Sequence, residues 1–230
     1  MANDHSDISI KEARFWKYKD IAYWFFRFNG CLMIENFNVH PDFHKKKDGL
    51  CTDIDILAMR FPFRRELFTS GPEKYMKDYA ELFPIDNRLI DVMFVELKRR
   101  RCELNDSWTN PGKGTLKKFI YAIGIFNDKE TIDAATENLY KHGIYENGNY
   151  RVRFVAVAEK TDEYFQYKNV KQLTWDELLG FIYERLWGFQ DVKHDHIEWD
   201  DTGNRLYEFA KESLNKHSFI ESIKASSDIL

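Results

Sequence analysis

Apolar positions recur at spacings of three and four through residues 12–28, EARFWKYKDIAYWFFRF, where Phe15, Tyr18, Ala22, Phe25 and Phe26 fall on one side. That period predicts a helix with a broad aromatic face, and Asn29-Gly30 supplies its stop. The next segments, CLMIENFNVH (31–40) and TDIDILAMRFP (52–62), read as strands. An Asp-Gly turn signal in HKKKDG (44–49) lies between them, so 31–62 predicts a hairpin. Residues 63–90 hold Gly71-Pro72 and Pro84 around a short amphipathic EKYMKDYAELF, and read as an insertion or connector rather than core.

LIDVMFVELKRR (89–100) is rich in β-branched and aromatic residues and predicts a third strand. A helix follows in which Leu116, Phe119, Ile120 and Ile123 share a face, then a second helix at 129–142 and a fourth strand, RVRFVAVAEK, at 151–160. LTWDELLGFIYERL opens on a capping box, Thr174 to Glu177, and predicts burial of Trp175, Leu178, Leu179, Ile182 and Leu186. A weaker helical pattern closes 203–217. Helix, three strands, helix, strand, helix is the order of an α/β layered domain with a mixed sheet flanked by helices. One domain over 1–230 is expected, with a core at about 10–160, the insertion at about 63–90 and a helical extension at about 170–230.

Composition supports one sizeable core: 230 residues, 43% hydrophobic and 16% aromatic. The polar start MANDHSDISIKEAR lacks the order of a secretory signal, and the longest apolar run, IAYWFF, is too short to span a bilayer. Three cysteines without a CxxC pair argue against a disulfide framework or zinc ribbon, so a cytoplasmic protein with no membrane partner is expected. The net charge is −4, yet residues 1–120 carry 21 basic against 18 acidic side chains and residues 121–230 carry 13 against 20. Basic clusters at Lys45-Lys46-Lys47, Arg64-Arg65, Lys98 to Arg101 and Lys117-Lys118 keep a nucleic-acid-binding face open.

The chemistry lies on two strands. Strand alternation points Glu96 and Lys98 to one face of the third strand, and Asp53 and Asp55 to one face of the second with Ile54 and Ile56 opposite. If the two strands are neighbours, carboxylates and an ammonium converge, as a hard divalent cation such as Mg²⁺ requires. Other signals are weaker. NPGKGT (110–115) lacks the spacing of a phosphate loop, and KHDHIEWDD (193–201) reads as an acidic solvated loop. His40 and His44 read as surface residues at the hairpin turn, and no motif supports Ser-His-Asp catalysis. Cys102, Asn105 and Trp108 are expected to pin the loop after the third strand, Trp108 by packing and Asn105 by local backbone hydrogen bonds.

TDIDILA and VELK together resemble the PD-(D/E)xK nuclease superfamily, the restriction endonuclease-like fold. The chain is also similar to a group of uncharacterised bacterial restriction-endonuclease-like proteins in its Asn-Gly after the first helix, its Asp-x-Asp strand and its C-x-L-N-x-x-W-T segment, Cys102 to Thr109. The resemblance implies an αβββαβ core and a Mg²⁺ (or Mn²⁺) site in which Asp55, Glu96 and the Leu97 carbonyl are ligands and Lys98 positions the attacking water. Asp53 stays open as an alternative to Asp55. It further implies an acidic residue on the first helix, Asp20 or in reserve Glu12, and nucleic-acid contacts from Lys113 and Lys117, taken to share a helical face; Arg99, Arg100 and Lys46, from the basic clusters, are the other candidate nucleic-acid contacts. Thr52 stands where the family often has proline, and the Asp55-to-Glu96 separation is long. The activity implied is a metal-dependent DNA endonuclease, in the setting of defence against foreign DNA, as a homodimer or larger complex. The alternative is a catalytically silent nucleic-acid-binding or protein-interaction subunit of the same fold.

Overall fold

The computed structural model describes residues 16–40, 52–68, 74–193 and 199–227. Helix α1 (Tyr18–Phe28) buries Ala22, Phe25 and Phe26 of the face its spacing predicts, together with Ile21, Trp24 and Phe28; Tyr18 is half-buried, and Phe15 lies outside the described residues. It stops where Asn29 turns its side chain back on the Phe25 carbonyl and Gly30 takes φ +71°. A side chain at Gly30 is doubly excluded, because a Cβ there would lie 1.9 Å from Arg64 Nε.

Strands β1 (Leu32–Val39) and β2 (Thr52–Arg60) pair antiparallel. A short ribbon, β3 (Glu66–Leu67) and β4 (Tyr75–Met76), stands apart from the main sheet. β5 (Ile90–Leu97) pairs antiparallel with β2. The chain then crosses over through α2 (Asp106–Thr109), a 3₁₀ turn (Pro111–Lys113), α3 (Thr115–Ile123) and α4 (Lys129–His142). β6 (Ile144–Asn147) turns back antiparallel onto β7 (Tyr150–Ala158), which runs parallel to β5. β8 (Lys171–Thr174) joins the same edge of β7 beyond β6, and α5 (Trp175–Trp187), α6 (Asp201–Glu212) and α7 (Lys216–Ala225) follow. The result is a six-stranded mixed sheet in the order β1-β2-β5-β7-β6, with β8 also on β7.

The sheet separates two cores. On one face Ile56, Ala58, Met93, Val95 and Leu97 pack with α1, α5, α6 and α7; on the other Ile54, Val92, Phe94 and Phe154 pack with α3 and α4. Burying each aliphatic or phenylalanine side chain contributes about 1.5–3 kcal/mol relative to leaving it exposed. Among the described residues no helix is long and apolar enough to cross a membrane.

Several expectations need correction. The 63–90 segment is core as well as connector: Met76, Leu82 and Phe83 are buried, and Asp78 binds Arg60, Arg64 and Arg185. Residues from 170 onward supply a sheet strand and a large share of the α1-side core, because the capping box at Thr174–Glu177 starts α5 directly against α1. The helical pattern at 203–217 divides into α6 and α7, since Asn215 closes its own capping box with Ser218. β6 and β8, four residues each, were too short for a period to register.

Candidate functional site

The β2–β5 ladder ends on the pair Ile56 and Val95, so Asp55 and Glu96 are the next residues on the two strands, at the end where β5 leaves the sheet. Asp55 turns its carboxylate onto β5, where the Leu97 amide donates to Oδ2 at 2.9 Å. In a strand the N–H and C=O of one residue point to the same side, which directs the Leu97 carbonyl toward Asp55 as well. Lys98 places its ammonium 3.3 Å from Glu96 Oε2 and donates to Asn105 Oδ1 at 2.7 Å.

Strict alternation breaks at Asp55. Ile54 and Ile56, expected on one face, pack in the two opposite cores. The partner strand shows the cause: β1–β2 pairing skips Asn36, opposite Asp55, and Asn36 has φ +52°, a left-handed conformation asparagine tolerates better than most residues. Lys19 of α1 donates to Asn36 Oδ1 and stands 3.3 Å from Asp55 Oδ1. Thus the distortion turns Asp55 out of the alternation and toward a lysine that the sequence reading had not considered.

Glu96 is fully buried. Burial pushes its carboxyl up to about 7; Lys98 pulls it down, Asp55 pushes it further up, and the hydrogen bond from Trp108 lowers it. Trp108 Nε1 donates to Oε1 at 2.7 Å, whereas Oε2 has the Lys98 ammonium nearby but no aligned hydrogen bond. Asp91, five residues earlier on β5, is the instructive contrast. It is equally buried, yet Arg153 grips both its oxygens, at 3.0 and 2.5 Å. Asp91 is a satisfied structural carboxylate, while Glu96 keeps a buried oxygen with no aligned hydrogen-bond partner.

The donor set fits a hard cation. Two carboxylates and a directed backbone carbonyl are oxygen ligands of the kind Mg²⁺ or Mn²⁺ takes alongside water. Among the described residues no group of three or more His, Cys, Asp or Glu gathers.

The other candidates fall elsewhere. Asp53 pairs with Asn38, away from the β2–β5 ladder. Asp20 lines a recess with Tyr23, Trp24, Glu35 and Asp200, so the α1 residue beside Asp55 is Lys19 instead. Lys113 and Lys117 do not share a helix: Gly114, at φ +64°, separates the 3₁₀ turn from α3, and the two lysines are ion-paired with Asp106 and Asp133 respectively. Arg99 and Arg100 are exposed, their carbonyls tied to the Glu159 and Lys160 amides just past β7. Glu12, Lys46, His44 and residues 194–198 lie outside the described residues.

Two roles in the C-x-L-N-x-x-W-T segment also differ from expectation. Asn105 spends its side-chain oxygen on Lys98 rather than on local backbone, and Trp108 is a hydrogen-bond donor as well as a packing residue. Cys102 is buried with Sγ 3.6 Å from the Ala156 carbonyl, and burial pushes its thiol up to about 12. Compared with protein-family models, curated proteins and solved structures, the chain has no match.

Proposed function

We propose that the chain is a metal-dependent nuclease of the PD-(D/E)xK type, hydrolysing phosphodiester bonds in DNA. The observation that carries this reading is the meeting of Asp55, Glu96 and Lys98 at the open end of β5, with one Glu96 oxygen left without an aligned hydrogen bond. Asp55, Glu96 and the Leu97 carbonyl would hold Mg²⁺ or Mn²⁺, which supplies Lewis acidity toward a phosphoryl oxygen and a lowered pKa for bound water.

The protein's own groups do the positioning. Trp108 fixes one Glu96 oxygen and so orients the other. Asn105 holds the Lys98 ammonium beside that oxygen, where it can orient water and offset charge developing on the phosphate. Arg99 and Arg100 follow directly on the surface, as a nucleic-acid backbone would use them.

One observation favours a silent binding module of the same fold: Lys19 and Lys98 already give each carboxylate an ammonium neighbour. Incubation with supercoiled and linear DNA in Mg²⁺, Mn²⁺ or chelator separates the two. Metal-dependent loss of supercoils or of length supports the nuclease; intact DNA in every condition, with salt-sensitive DNA binding retained, supports the silent module.

A further inference from the structure

At the end of β2 remote from Asp55, a cavity of about 270 Å³ opens between β2, β4 and the Phe83–Ile85 turn. Arg60, which lines it, is five residues along β2 from Asp55, on the order of 16 Å at strand rise. The two places are therefore separate sites.

Among the described residues the lining carries Arg60, Arg64, Arg65 and Lys77 against a single carboxylate, Asp78. Behind it, Arg185 and Lys193 are 2% and 5% exposed and draw on Glu66, with Arg185 also on Asp78. Among the described residues six cationic side chains thus gather with two carboxylates. Arg60, Arg185 and Lys193 in this group are nearly buried, so surplus positive charge beside them is costly, and an anion in the cavity relieves it. Arg60 and Arg64 spend donors on Asp78 and on the Asn29 and Phe28 carbonyls, so they set the field. Lys77, which is exposed, lines the cavity and is placed to donate directly.

The remaining wall is aromatic and apolar. Arg65 lies over the Tyr75 ring at 4.7 Å and Arg60 over Phe83 at 5.0 Å, while Phe63 and Ile85 remain 77% and 75% exposed. Apolar side chains left this open beside a charged cavity suit a ligand that brings its own ring. The volume lies just under the roughly 300 Å³ at which drug-sized sites begin, which fits one small ring-bearing anion rather than a polymer.

We infer that this cavity binds a small anion bearing an aromatic ring, of the class of a nucleoside monophosphate. Ring and charge follow from the lining; the choice of a nucleotide among aromatic anions rests on the nuclease reading. The test is isothermal titration of the full chain carrying Asp55→Asn, in chelator, with deoxycytidine monophosphate, deoxycytidine and inorganic phosphate in parallel. Saturable nucleotide binding is expected, weakened about tenfold by Lys77→Ala and by Tyr75→Ala, with nucleoside and phosphate each about tenfold weaker than the nucleotide. Absence of saturable binding, nucleotide affinity left unchanged by both cavity substitutions, or phosphate binding as tightly as the nucleotide would each overturn the inference. Lys77→Ala changes an exposed side chain, so loss there is not a folding artefact. Because Asp55→Asn disables the cleavage site and leaves the cavity intact, this titration and a cleavage assay on the wild type fail independently.

Discussion

The indole of Trp108 donates to Glu96 Oε1 across 2.7 Å, with both side chains fully buried. A carboxylate in that position is held by one neutral donor and one ammonium, where water would have supplied several partners. Hydrogen bonds to charged acceptors are stronger than those to neutral ones. Trp108→Phe keeps an aromatic ring beside Phe119 and Phe154 and removes the donor. It should destabilise the protein by about 1–3 kcal/mol, and by more at pH 8, where Glu96 is ionised, than at pH 5. Urea denaturation at the two pH values measures this, and an equal loss at both would show that only packing was affected.

Glu96 itself carries a pH signature. Burial raises its folded pKa to about 7, from an ordinary value of 4.5. The folded state therefore binds more protons than the unfolded state between those values, and the contribution of Glu96 to stability declines as pH rises through that window. In chelator, the stability of the wild type relative to Glu96→Gln should fall by about 3 kcal/mol between pH 4.5 and pH 8. Parallel pH profiles for the two proteins would refute the burial account.

Lys19 stands where a cation would lie against Asp55. Removing its charge lowers the competition for that carboxylate. Lys19→Ala should tighten Mn²⁺ binding about tenfold by isothermal titration, a shift of about 1.4 kcal/mol. Weaker binding in the variant would mean that Lys19 supports the site by holding Asn36 and the β1 distortion.

Asp78 receives Arg60 at 2.6 Å, Arg64 at 2.7 Å and Arg185 at 3.2 Å. Asp78→Ala removes the carboxylate paired with buried Arg60 and leaves Arg64 and Arg185 to share Glu66, and should cost about 3–5 kcal/mol. Lys216→Ala breaks an exposed pair with Glu184 and should cost under about 1 kcal/mol. Thermal unfolding of the two variants side by side tests that ordering.

The sequence made β1, β2, β5, β7 and most helices legible because each is amphipathic or apolar over eight or more residues, as in TDIDILAMR and IDVMFVEL. Glu96 and Lys98 were legible for the same reason, since charged residues in an apolar strand need an explanation. Lys19 and Asn36 were not. They reach Asp55 only because Asn36 breaks the β1–β2 pairing, and nothing in ENFN announces a positive φ at its second residue. The role of Trp108 depends on α2 folding back over β5, a tertiary relation that spacing does not encode. The 63–90 segment was misjudged because its Gly and Pro residues signal a connector, whereas Asp78 earns its burial from arginines on β2 and α5, far apart in the chain.

Cleavage of supercoiled DNA in Mg²⁺ by the wild type, Asp55→Ala and Lys98→Ala, each first verified as folded by circular dichroism, tests the central claim most directly. The account predicts cutting by the wild type that chelator abolishes, and a loss of about 10²-fold or more in both variants. Cutting that survives in both variants would place the activity elsewhere on the chain, and a wild type inert in Mg²⁺ and Mn²⁺ alike would contradict the assignment of Asp55, Glu96 and Lys98 as a nuclease site.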